Sequence, residues 1–104
     1  MSKVTPQQVA AAIDARADDA RGWLMDTIAF ESTQGNEAGV QAYMKDLLND
    51  LGLRAEFREI PDSIFDDPQY SHNEKEMSYV GRPNVVGTIA GSGGGRSVIL
   101  QSHT

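Results

Sequence analysis

Residues 81–104 read GRPNVVGTIAGSGGGRSVILQSHT, and the fold turns on how this stretch is parsed. Two short aliphatic, partly β-branched runs, NVVGTIA at 84–90 and SVIL at 97–100, flank a glycine-rich segment. The simplest parse is two neighbouring strands joined by a turn, with a separated pair as the other arrangement the sequence allows. Val98, Ile99 and Leu100 are consecutively apolar, the pattern of a strand covered on both faces in the middle of a sheet. Such a strand needs a neighbour on each side. The chain therefore carries an expectation that its sheet continues beyond Thr104 or is completed by another polypeptide.

Working outward, residues 53–58 alternate Leu53, Ala55 and Phe57 with Arg54, Glu56 and Arg58, which predicts a strand with one wet face. Ahead of it, Val40, Met44, Leu47, Leu48 and Leu51 share one side of a predicted helix over 36–51, and Gly52 stands where a left-handed C-cap would sit. A first helix is predicted from Thr5 to about residue 29. Thr5, Pro6 and Gln8 supply a capping hydroxyl, a proline at the first helical position and a glutamine three residues after the cap. Val9, Ile13, Ala17, Ala20, Leu24 and Ile28 recur at three and four residues, so this helix is expected to pack by that stripe, with Gly22 weakening its middle. Trp23, Met25 and Phe30 are expected in core or interface packing. Residues 32–36 break the helical period, and residues 61–83, rich in proline and carboxylates, form a long connection without a sustained period, the kind that is usually functional or mobile. The order is helix, helix, strand, long loop, strand, turn, strand, which is an α/β class.

Composition narrows the function. Nine Lys and Arg against fifteen Asp and Glu give a net charge of -6, with no basic cluster, which disfavours nucleic-acid and anionic-membrane partners. There is no cysteine, which removes disulfides, thiolate nucleophiles and cysteine-based zinc sites. The N-terminus lacks the apolar core of a signal peptide, and no apolar run approaches the roughly eighteen residues of a membrane span, so a cytoplasmic setting is the expectation.

Few residues carry chemistry. Residues 91–95, GSGGG, are followed by Arg96 and a predicted strand, whereas a phosphate cradle needs a lysine and the N-terminus of a helix, so a turn is the reading here. His72 lies among loop carboxylates and reads as solvated. Asp66 and Asp67 read as charged surface. Ser102 adjoins His103, but adjacent strand residues point to opposite faces, so the two do not make a nucleophile and its base. His103 stands at the polar end of an apolar strand, where open α/β sheets place ligand-binding groups. From the residues alone, a buried, hydrogen-bonded histidine is the favoured reading over a ligand, and a metal site would need ligands from elsewhere.

With these segments in view, the chain resembles the amino-terminal part of the M20 family of zinc-dependent amidohydrolases and peptidases. The resemblance runs over essentially all 104 residues: a first helix, a serine-containing loop before a glutamate in STQGNE, a helix ending in LGL, the strand RAEFREI, RPNVVGTIAG, and a strand into SHT. It implies helices packed on a mixed β-sheet, incomplete in this chain. It implies that His103 corresponds to the first zinc-liganding histidine and Thr104 to the residue before a family aspartate that orients that histidine. For a complete assembly it implies two zinc ions, for which cobalt can substitute, and a bridging water that attacks the amide of an N-acyl amino acid or peptide. A homodimer is likewise implied. No catalytic side chain is assigned within these residues, and the 104-residue chain alone is expected to be inactive. The competing reading is a non-catalytic interaction or regulatory module on the same scaffold.

Overall fold

The computed structural model describes residues 3–71 and 78–104. The chain divides into two compact units, Met1–Phe30 and Glu31–Thr104.

The first unit holds helices α1, Pro6–Asp14, and α2, Ala17–Ile28. The start is as the sequence predicts. The Thr5 hydroxyl accepts from the Gln8 N–H at 3.2 Å, and the Gln8 side-chain oxygen accepts from the Thr5 N–H at 2.8 Å, so two donors without helical partners satisfy each other's residues reciprocally. One continuous helix is not what forms. At residue 16 the ladder tightens, the Arg16 N–H donating to Ile13 three residues back, and α2 begins afresh with Asp18 and Asp19 in its first turn. Two carboxylates next to unpaired N–H groups favour a helix N-terminus there. The break thus falls where charge supports a new start, and Gly22 lies intact inside α2. Val9, Ile13, Leu24 and Ile28 are exposed, as are Met25 and Phe30, so the expected burial of this stripe is not realised among the described residues.

The second unit is a small α/β layer: helix α3, Ala38–Asp50, lies on a two-stranded antiparallel sheet of β1, Arg54–Arg58, and β2, Asn84–Thr88. Helix α3 stops at the predicted glycine. Gly52 adopts φ +92°, its N–H donates to the Asn49 carbonyl, and the Leu53 N–H donates to the Leu48 carbonyl, each at 3.0 Å. This pair of bonds satisfies the last carbonyls and turns the chain straight into β1.

Register sets the faces. Ala55 lies opposite Gly87 and Phe57 opposite Val85, while Glu56 and Val86 share the other face. A Cβ on Gly87 would stand 3.0 Å from Leu53 Cδ2 and 3.2 Å from Leu48 Cδ1, which shows that the face carrying Ala55 and Gly87 is the one under α3. The small pair lets the helix approach closely. Val40, at 1% exposure, Ala55, at 7%, and Pro83 at the entry to β2 are the buried residues among those described. Lys45 of α3 sits 5.3 Å from the Phe57 ring centroid, adding a cation–π contact across the layer.

The pairing corrects the simplest sequence parse. Residues 84–88 pair with 54–58, not with 97–100. Helix α3 presents its apolar side to β1 through the tight turn at Gly52, and β2 gains both a ladder and that apolar cover by joining β1. Residues 97–100 belong to no ladder, and Val98, Ile99 and Leu100 are 79%, 90% and 93% exposed. The long connection also contains structure that its sequence does not announce, a 3-10 helix at Asp62–Asp66.

Candidate functional site

His103, the residue singled out by sequence, lies in the segment after β2 that joins neither helix nor ladder, and it is exposed together with Ser102 and Thr104. Among the described residues no group of three or more His, Cys, Asp or Glu side chains is gathered closely enough to hold a metal ion. His72 lies outside the described residues. Asp66 closes the 3-10 helix, and Asp67 accepts the Gln69 N–H at 2.8 Å, so that carboxylate organises a turn.

The most developed polar arrangement was not predicted. Arg82, just before β2, places Nε 2.9 Å from Glu37 Oε2 and Nη2 2.8 Å from Glu37 Oε1. This is a two-pronged guanidinium–carboxylate pair joining residues 45 apart in sequence. The side chains are only 15% and 23% exposed respectively, so water screens the pair incompletely. Glu37 Oε1 also accepts the Gly35 N–H at 3.0 Å, and Asn36 Nδ2 donates to the Glu31 carbonyl at 2.6 Å, which folds the 31–37 loop onto the start of α3. The hydrogen bonds from Arg82 hold the Glu37 carboxyl down from an ordinary 4.5 to about 2, against partial burial, which acts the other way; the Gly35 N–H adds to the lowering. The Arg82 guanidinium is correspondingly pushed up, mainly by its hydrogen bonds to Glu37.

Beside the pair lies an aromatic cluster from the long connection. Phe65 meets Tyr70 edge-on at 5.4 Å between centroids and stacks on Tyr79 at 5.7 Å. The Tyr70 and Tyr79 hydroxyls share a hydrogen bond of 2.6 Å. That bond is the main cause raising the Tyr70 phenol above its usual range. The Arg82 guanidinium carbon lies 5.2 Å from the Tyr79 ring centroid, and Nη1 donates to the Ser78 carbonyl at 3.3 Å.

The chemistry of this arrangement is positional. A general acid or base near neutral pH needs a pKa near neutrality, whereas Glu37 is held ionised and Arg82 protonated. The signal that sequence reasoning passed over is the glutamate of STQGNE and the arginine of GRPNVV, each noted as part of a segment and neither as half of a pair. In the first unit, an apolar groove of about 480 Å³ is lined by Val4, Val9, Ala12 and Ile13, with Arg16 as its charged side chain. No helix among the described residues is long and apolar enough to cross a membrane. Compared with protein-family models, with curated proteins and with solved structures, the chain matches none.

Proposed function

We propose that this chain is the amino-terminal portion of a zinc-dependent amidohydrolase or peptidase of the M20 type, acting on an N-acyl amino acid or peptide in a cytoplasmic setting. The observation that carries the reading is the run from Val98 to His103. Three aliphatic side chains 79–93% exposed are followed, after Gln101 and Ser102, by an imidazole, a composition suited to a covered strand delivering a ligand at its polar end.

The described residues do not by themselves fit a zinc site. Zinc takes three or four protein ligands at a structural or catalytic centre, and His103 would be one of them. The others, the carboxylate that orients the histidine and the general base would come from polypeptide outside these residues. When bound, the metal would lower the pKa of a water molecule and polarise the amide carbonyl. Within this chain, the part of His103 is to offer one neutral ring nitrogen.

The test is zinc content and hydrolysis of a panel of N-acyl amino acids and dipeptides, measured on the isolated 104 residues and on the polypeptide extended past Thr104, each with and without H103A. Zinc binding and hydrolysis are expected only in the extended form, and to fall at least about a hundredfold in H103A, the upper end for loss of an outer-shell partner. Hydrolysis by the isolated chain at the rate of the extended form, or an extended form indifferent to H103A, would overturn the reading. An extended form that folds but neither binds zinc nor hydrolyses any amide would favour the non-catalytic module.

A further inference from the structure

Two segments of the second unit meet at one guanidinium. Arg82 grips both oxygens of Glu37 at the start of α3, touches the Ser78 carbonyl and lies against the Tyr79 ring. Tyr79 leads through Phe65 and Tyr70 to the 3-10 helix, and the Ser78 hydroxyl reaches Asp62 at 3.3 Å. The described parts of the long connection are therefore folded on one another, and their ion pair to α3 is made by Arg82. The β ladder is held elsewhere. Leu48, which meets Gly87, lies eleven residues along α3 from Glu37, roughly 16 Å at the helical rise.

We propose that Glu37 and Arg82 form a latch that fixes residues 61–71 and 78–83 onto the start of α3, and that without it these residues loosen as one local unit while the layer of α3, β1 and β2 stays closed. Three aromatic rings and Ile64, none of them fully buried, with Pro83 the one buried residue of the described segment, are too little apolar surface to keep it ordered alone. Removing one partner leaves the other charge partly desolvated and unpaired, which is costlier than removing both. Lysine cannot reproduce the fork, since it offers a point charge instead of two parallel donors. This inference is independent of the zinc reading and stands or falls without it.

The test is residue-resolved amide exchange on the protein and on R82Q, R82K, E37Q and the E37R/R82E exchange. The reporters inside the connection are the Ile64, Asp67, Tyr70 and Arg82 amides, each of which donates within it. Those of the layer are Leu53 and Ala55, bonded to Leu48 and Asn49. In R82Q and E37Q the connection amides are expected to exchange about tenfold faster or more, with the layer amides within about twofold of the parent. R82K should fall between, and the charge exchange should recover most of the protection. Unchanged connection amides in R82Q would overturn the latch. Equal acceleration of the layer amides, or failure of R82Q to fold at all, would overturn the claim that the loosening is local.

Discussion

Asn49 offers a sharp test of how the sheet is held. Its Oδ1 accepts the Ala55 N–H at 3.0 Å, and its Nδ2 donates to the Ala55 carbonyl at 3.3 Å. Ala55 is opposite Gly87, and both of its peptide groups reach Asn49, so they point away from β2 as in a non-hydrogen-bonded pair. One side chain thus stands in for a third strand at the outer edge of β1. In N49A, the N–H and C=O of a residue only 7% exposed lose these partners together. An unsatisfied buried group costs about 1–3 kcal/mol, and water can enter where the side chain is removed, so a net loss of about 2 kcal/mol is expected. That is about a thirtyfold loss of protection at the Ala55 amide, and a urea midpoint lowered by roughly 1–2 M at an ordinary slope. N49D separates the two bonds. The carboxylate still accepts from the N–H but faces the carbonyl with a second acceptor, so it should cost less than N49A at neutral pH and recover on acidification, when a protonated oxygen can donate. An N49A variant with Ala55 protection within about twofold of the parent would refute the account.

Four further outcomes follow from other contacts. Glu37 is held at about 2 instead of 4.5, so its contribution is full above pH 4.5 and is lost as pH falls toward 2. The shift corresponds to at most about 3 kcal/mol, less for the part of the carboxylate left in water, and an acid titration of stability should lose this step in E37Q. Gly87→Ala should change stability by less than about 1 kcal/mol, because strand propensity offsets a contact that flexible leucine ends can relieve. Gly87→Val should cost about 2 kcal/mol or more in urea unfolding, its branches forcing Leu48 and Leu53 apart. T5A should remove the reciprocal cap of α1 and cost about 1 kcal/mol of local helix stability, read as faster exchange at Gln8 and Val9. Tyr70, whose phenol is raised by its bond to Tyr79, favours the folded chain below pH 10; this is lost at higher pH, and Y79F should abolish that alkaline step in a spectroscopic titration.

What the sequence disclosed was local. The cap at Thr5, the stop at Gly52 and the alternation of residues 54–58 depend on neighbours within a few positions, where residue type and geometry are tightly linked. The break at Arg16 was hidden because the apolar period runs straight through it and the cue is a pair of aspartates. Partner choice by β2 was hidden for a different reason: two aliphatic runs beside a glycine turn look like a hairpin, and only the position of α3 makes Ala55 the better neighbour. Asn49 and the pair of Glu37 and Arg82 join residues whose proximity is created by the fold, so neither carried a mark in the chain. His103 was legible only as a position, since a ligand is defined by donors that the described residues do not bring to it.

Pairing β1 with β2 across the long connection also determines how freely that connection can change size. Closing the loop of residues 59–83 has already incurred most of its entropy, and the dependence on length is logarithmic. Ten extra residues would cost only about 0.3 kcal/mol by that law, a small fraction of one lost hydrogen-bond partner at Ala55. Insertions there are thermodynamically cheap as long as the entry to β2 stays put, so this segment is where length can diverge while the register of Ala55 against Gly87 does not.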